Sequence, residues 1–303
     1  MIALRFGGYQ PERSVHTRAA RELGNALATR LGDRVAFELT PQITTLGHSA
    51  ADLLALTESG ALEMCYFASS YLAARVPELG ILDQPFAGAD RDALWQRLDG
   101  EVGARIKAAV AQRTGYRVLA FWDNGVRHIS NAVRPIRHPR DCAGLWIRTL
   151  DNAFHQSVFA ALGFRPRFLD VKDLGEAVRT KAIDAQENPL TNLVNFDLHK
   201  THRFVSLTGH FHGIALVLGN AAAISRLDEP TRTALDEAIT HATQEQRRLA
   251  AAEDDDCMRL LHQDGVEVTM PEAIDLAAFR AAVAGIVERA NAELDPDLLA
   301  AWQ

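Results

Sequence analysis

The feature that most constrains this chain is the alternation of short apolar runs with segments whose apolar residues recur every four positions. Residues 2–6 read as a strand. Over 14–31, Val15, Ala19, Leu23, Leu27 and Leu31 share one helix face, and Gly32 ends the helix. Residues 34–39 alternate as a strand that stops at Pro41. Ser49-Ala-Ala-Asp52 has the form of a capping box and opens a helix that Gly60 closes. Leu62 to Ala68 is a second strand-like run, 91–114 a helix ending at Gly115, and 116–122 a strongly apolar strand. Asp123-Asn124-Gly125 is a turn signal. The plan then repeats: strand 145–150, helix 153–162 with Gly163 as its stop, strand 165–169, helix 171–181, and a strand beginning at 182–185. Such alternation predicts βαβ units, an α/β class and largely parallel sheets.

Further strands are expected at 202–207 and 214–218. A helix of more than 30 residues starts near Pro230, runs to His262 and stops at Gly265. That exceeds what one domain usually needs and suits a strut shared by two lobes. A short strand at 266–269 and a helix over 272–294 complete the pattern. A chain of 303 residues fits about two domains. Gly60-Ala-Leu-Glu-Met64 and Lys181-Ala-Ile-Asp-Ala185, each placed after an amphipathic helix, are an internal echo of the kind two similar lobes produce. No Pro- or Ser-rich linker separates the halves, so two lobes would be joined by short crossings.

With 48% apolar and 23% charged residues, the chain can bury a core without disulfides or metals. A net charge of -7 argues against nucleic acid and against anionic lipid as partners. It leaves room for a small anion, because one or two arginines in a cleft suffice for that. Cys65, Cys142 and Cys257 show no metal-like spacing and read as small core residues. Dinucleotide and phosphate-loop glycine motifs are absent, so no cofactor is expected. No apolar run reaches the ~20 residues that span a membrane. The pattern enters a strand directly after Met1, with no leader, as a secreted protein stripped of its leader or a cytoplasmic protein would.

The middle third carries a resemblance. Phe121-Trp-Asp-Asn-Gly-Val-Arg127 is followed by Arg134-Pro-Ile136, Pro139-Arg-Asp141, Gly144-Leu-Trp-Ile-Arg148, Leu162-Gly163 and Asp184-Ala-Gln-Glu-Asn188-Pro189. In order and spacing these resemble the solute-binding proteins of TRAP (tripartite ATP-independent periplasmic) transporters, the dicarboxylate-binding DctP-type family. Pro41, Leu46-Gly47, Pro77-Glu-Leu79, Asp83-x-Pro85-Phe86 and Thr208-Gly-His210 also fit, so the likeness runs from about residue 3 to 294. Cys142-Ala143 departs from the family's usual leucine-like residue.

The resemblance implies a two-lobed periplasmic-binding-protein fold. Each lobe is a sheet flanked by helices, with a hinge between them and the long helix spanning both. Lobe I would take 1–124 and about 208–250, lobe II 125–207 and about 251–303, with the ligand cleft between. It implies a periplasmic monomer that catalyses nothing, captures a small organic carboxylate and hands it to the membrane subunits of a transporter.

Arg148 matches the family's carboxylate anchor, Arg127 its second cleft arginine and Asn188 its cleft asparagine. The chemistry suits them, since a buried carboxylate must be paired and the guanidinium fork gives two parallel charge-assisted bonds. Alternatives for the three are a surface arginine, a structural ion pair and a turn residue before Pro189. Tyr9, Gln10, Phe67, Ser69, Ser70, Trp122, Phe168 and Phe211 are further candidates near strand ends, and their aromatic character suits an aromatic or apolar acid. A hydrolase is the competing class. Gly47-His-Ser49-Ala-Ala51 approaches a nucleophile elbow, but Pro41 to Thr45 interrupts the strand that such an elbow needs. His199, His202, His210 and His212 suggest a metal site, yet their spacing favours solvated or capping histidines.

Overall fold

The computed structural model describes residues 1–87 and 90–302. In chain order it forms β1 (Ile2–Gly7), α1 (Val15–Leu31), β2 (Val35–Thr40), α2 (Asp52–Glu58), β3 (Met64–Ala68), α3 (Arg91–Asp99), α4 (Glu101–Arg113), β4 (Tyr116–Asn131), β5 (Trp146–Thr149) and α5 (Ala153–Ala161). There follow β6 (Arg165–Phe168), α6 (Val171–Arg179), β7 (Ala185–Pro189), α7 (Leu190–Asn195), β8 (Phe204–Asn220), α8 (Ala221–Ser225), α9 (Glu229–Gln263), β9 (Glu267–Thr269), α10 (Leu276–Ala292) and α11 (Pro296–Trp302). The chain divides into two compact units. Unit 1 comprises 1–69, 104–123 and 214–252, and unit 2 comprises 70–103, 124–213 and 253–303.

In unit 1, β1 pairs in parallel with β2 from Ile2↔Val35 and with β3 at Phe6↔Met64. The intervening α1 begins where Ser14 Oγ accepts the Thr17 N–H and buries Val15, Ala19, Leu23 and Leu27, the face read from the spacing. Gly24 lets α1 lie close on β2: a Cβ there would stand 2.5 Å from the Phe37 ring. The far side of β3 pairs antiparallel with the end of β8, Cys65 opposite Leu218. In unit 2, the end of β4 runs antiparallel to β7, Ser130 opposite Gln186, while β5 is parallel to both β7 and β6. The α/β class therefore holds, but the sheet is mixed, because β4 and β8 return against strands built by parallel crossovers. The three cysteines are buried free thiols.

Several elements differ from the sequence reading. The helix expected over 91–114 is two, broken at Gly100, whose ψ of -144° leaves the helical region. The helix expected over 272–294 begins only at Leu276, capped by Asp275, and α7, α8 and α11 lie outside the expected helices. Asp123-Asn124-Gly125 does not turn but lies inside β4. The long helix α9 is the reason. Its Gln246 accepts the Asp123 N–H at 2.8 Å and donates to the Asp123 carbonyl at 2.7 Å, so extended backbone is satisfied there. The runs 202–207 and 214–218 are likewise one strand, β8.

Gly125 takes φ +87°, and a Cβ there would stand 2.9 Å from Pro189 Cβ. Gly125→Ala should therefore destabilise the protein by about 1–3 kcal/mol. Gly175→Ala, inside α6 with nothing within 4 Å, should stabilise it by about 0.5–1 kcal/mol. Urea midpoints of the two variants should move in opposite directions, and movement of both the same way would refute the account of Gly125.

Candidate functional site

Unit 2 buries two guanidinium groups and treats them differently. Arg127, on β4, and Glu187, on β7, lie on one side of the antiparallel pair, where Ile129 faces Glu187. Arg127 Nε donates to Glu187 Oε2 at 2.6 Å and Nη2 to Oε1 at 2.8 Å. The residues are 3% and 0% exposed in their side chains, so the pair is fully desolvated. His210, on β8, adds Nε2 at 3.3 Å to Glu187 Oε2 and holds Nδ1 2.7 Å from Thr208 Oγ1. Burial works against ionisation of Glu187, but Arg127 and His210 outweigh it and hold the carboxyl well below the usual range. Burial in turn lowers the pKa of His210, against the pull of Glu187.

Arg148, on β5, is 1% exposed. Its Nε donates to the Leu169 carbonyl at 2.8 Å, and its guanidinium bonds the Tyr71 hydroxyl. Among the described residues no carboxylate forms an ion pair with it. Burial raises the pKa of Tyr71; the charge of Arg148 lowers it, that of Asp170 raises it and that of Arg127 lowers it, so both arginines and the Asp170 carboxylate act on one phenol. A buried cation with neutral partners only is costly unless an anion joins it. This is the arrangement that can take a ligand carboxylate.

Asn188 sits beside Arg127. Its Oδ1 accepts from Arg127 Nη2 at 3.2 Å and from Asn192 Nδ2 at 3.1 Å, and its Nδ2 donates to Gln186 Oε1. Phe168 ends β6 at 40% exposure. Phe211 is interior to β8 and stacks on His155 with centroids 4.3 Å apart. His155 in turn stands 3.2 Å from Asp83, which accepts from Ser70 Oγ at 2.7 Å.

The unit 1 candidates gather separately. Tyr9 packs against Phe67 and Tyr66 with centroids 5.3 and 5.2 Å away. Tyr66 lies 5.8 Å from Trp122 and stacks on His16 at 4.8 Å. Trp122 is not at a strand end, because β4 continues past it, and its Nε1 donates to Thr243 on α9. Gln10 and Ser69 are buried close by in sequence to Tyr9 and Phe67.

One reading of polar residues needs correction, whereas the Ser49–Asp52 capping box is present, the Asp52 N–H donating to Ser49 Oγ at 3.3 Å and the Ser49 N–H to Asp52 Oδ2 at 3.0 Å. His199, His202 and His210 are neither solvated nor caps but buried, bonding Asp264, Ser130 and Glu187 inside unit 2. Only His212 stays half-buried. Ser49 donates its hydroxyl to Asp52 Oδ1 at 2.7 Å, and it is Asp52, not the serine, that meets His48. The serine therefore lacks the base a nucleophile requires. Among the described residues no group of three or more His, Cys, Asp or Glu is placed to hold a metal ion, and no helix is long and apolar enough to cross a membrane. Sequence reasoning missed Glu187, Tyr71 and His16. Glu187 lies within the Asp-x-x-Glu-Asn motif, which was the available signal; the other two carry none.

Residues 6–293 match the bacterial extracellular solute-binding protein family 7. The chain belongs to this family. Its members are solute-binding proteins of TRAP transporters, not enzymes. The 2,3-diketo-L-gulonate-binding periplasmic protein of Escherichia coli is 30% identical over 266 residues, covering 88% of this chain and 80% of that one. A Roseobacter denitrificans TRAP periplasmic solute-binding protein with bound β-D-glucuronate superposes with a TM-score of 0.92 at 26% identity, covering 99% of each chain. A Bordetella bronchispeptica TRAP protein, with density attributed to pantoate, gives 0.92 at 25%, covering 100% of this chain and 98% of that one.

The buried histidines of this solute-binding protein set its acid stability. Burial holds His16 and His202 at about 4. The unfolded chain takes up a proton on each near pH ~6.5 while the folded chain does not, so stability falls as pH drops from ~6.5 to ~4. Glu187, depressed in the fold, loses its contribution at lower pH still, below ~4.5. His16→Phe, on the Tyr66 ring, should flatten the upper window by about 1.4 kcal/mol per pH unit in urea unfolding series. An unchanged slope would mean that His16 is not held neutral.

Proposed function

We propose that this chain is the periplasmic solute-binding subunit of a TRAP transporter, capturing a small organic carboxylate on Arg148 and delivering it to the membrane permease. One observation carries the reading: Arg148 is a buried cation without a carboxylate partner among the described residues, while neighbouring Arg127 has Glu187. A ligand carboxylate would supply the missing counter-charge through two bonds in the plane of the fork. Arg127 and Asn188 would act as secondary contacts, which is consistent with their side chains already holding one another. Tyr71 would complete the surroundings of the anchor.

The remainder of the ligand divides into two classes. The aromatic character of the candidates read from the sequence favours an aromatic or apolar acid. The relatives named above for diketogulonate and glucuronate support a polyhydroxylated one. A thermal-shift panel of D-glucuronate, D-gluconate, pantoate, succinate and benzoate separates them, since a ligand bound only by the folded state raises its stability. At least one acid should stabilise the protein, and amines and neutral sugars should not.

Calorimetry with the stabilising acids then tests the anchor. Arg148→Lys keeps the charge but loses the fork and should weaken binding at least about tenfold, ~1.4 kcal/mol. Arg148→Ala should cost more, on the order of 3–5 kcal/mol, by leaving the carboxylate unpaired. A folded Arg148→Ala variant that binds within about twofold of the parent, ~0.4 kcal/mol, would overturn the anchor assignment.

A further inference from the structure

We propose that His202 is a positioning residue for the arginine site, ending a buried relay of hydrogen bonds whose polarity keeps the Asn188 carbonyl turned toward Arg127. The inference rests on the carboxylate-binding reading above and deepens it.

The polarity follows from chemistry alone. A guanidinium has only donors, so the Asn188 atom 3.2 Å from Arg127 Nη2 is its oxygen. Asn192 Nδ2 donates to the same oxygen at 3.1 Å. The Asn188 amino group therefore faces Gln186 and donates to its Oε1 at 2.5 Å. Gln186 then presents its own amino group to Ser130 Oγ, also at 2.5 Å. Ser130, accepting there, has one proton to give, and its remaining partner is His202 Nδ1 at 3.1 Å. His202 must accept on Nδ1 and carry its proton on Nε2. With Nδ1–H instead, two donors, Gln186 and His202, would converge on the Ser130 oxygen and the Ser130 proton would lose its acceptor, whereas with the proton on Nε2 that proton alone is without a partner among the described residues.

Sheet geometry builds the relay. Ser130 and Gln186 are directly opposed across β4 and β7, and Asn188 follows Gln186 by two residues on the same face. Ser130, Gln186, Asn188 and His202 are all buried, so no solvent competes for these bonds. Burial also keeps the His202 imidazole neutral, at about 4. Neither Gln186 nor Asn188 has a shape that prevents a 180° amide flip. What prevents it is the donor order fixed at both ends, by Arg127 at one and His202 at the other. Without the acceptor on residue 202, Ser130 is free to turn its proton toward Gln186. The order is then held from one end only, by Arg127 and Asn192 on the Asn188 oxygen, and a flip that sets the Asn188 amino group against the guanidinium is opposed there alone.

Two measurements test the relay. In nitrogen-15 histidine spectra of the ligand-free protein at about pH 7, where a neutral ring shows one pyridine-type nitrogen, that nitrogen should be Nδ1 of His202. An Nδ1–H tautomer overturns the proposal whatever the protein binds. Calorimetry with D-glucuronate, D-gluconate, pantoate, succinate and benzoate compares variants. His202→Asn, whose Oδ1 can stand in for Nδ1, should bind within about threefold of the parent. His202→Leu and Ser130→Ala should each lose about tenfold while remaining folded by circular dichroism. A purely structural role would lower the stability of His202→Asn and His202→Leu alike without separating their affinities. Parental affinity in a folded Ser130→Ala or His202→Leu variant overturns the proposal. If the parent binds none of the acids, the carboxylate reading fails. The relay is then decided by the His202 tautomer and by the Asn188 amide, which should show one state in the parent and two in His202→Leu.

Discussion

A guanidinium cannot be taken out of water for nothing, and unit 2 has buried two of them. Arg127 is neutralised by Glu187 in a bidentate pair, with His210 bracing the same carboxylate. Among the described residues Arg148 bonds a carbonyl and a phenol, with the Asp170 carboxylate acting on that phenol but not paired with the arginine. Removing an ion from water costs several kcal/mol even after relaxation, and neutral dipoles recover only part of that. The first pair is self-sufficient and rigid. The second has no carboxylate ion-pair partner among the described residues.

Much of the surrounding architecture serves to hold those charges. The antiparallel β4–β7 pair fixes Arg127, Glu187, Gln186 and Asn188 on their two faces by the period of the strand. The parallel β5 lies on the other side of β7 and sets Arg148 beside Gln186 in register. Apolar residues seal the layer: Ile129, Ile147, Phe159, Ala185 and Phe211 belong to one continuous core cluster. Unit 1 solves a different problem with aromatic rings, packing His16 against Tyr66 and Trp122 with no hydrogen-bond partner for either ring nitrogen among the described residues. Such a ring stays neutral because ionising it there would cost more than the proton is worth near neutral pH.

The sequence was most legible where local rules act alone. The four-residue spacing in α1, the Ser49–Asp52 capping box and the stops at Gly32 and Gly163 needed no tertiary information. Reading failed where a distant segment supplied what a local motif seemed to demand. Asp123-Asn124-Gly125 has the composition of a turn, yet Gln246, more than a hundred residues away, satisfies its backbone in extended form. His199, His202 and His210 read as solvated or capping residues, yet each finds a partner inside unit 2 that only the fold brings near.

The sequence by itself determined the α/β class, the order of most elements, the long helix and the family, because periodicity, capping chemistry and ordered short motifs are written along the chain. It also marked Arg148, Arg127 and Asn188 as residues of interest. Only the tertiary structure decided which arginine carries a counter-charge. That depends on strand pairing across some 60 residues between Arg127 and Glu187, and on the absence of any such carboxylate partner for Arg148 among the described residues. Electrostatic pairing is a property of distance in space and of burial, and neither is encoded by spacing along the chain.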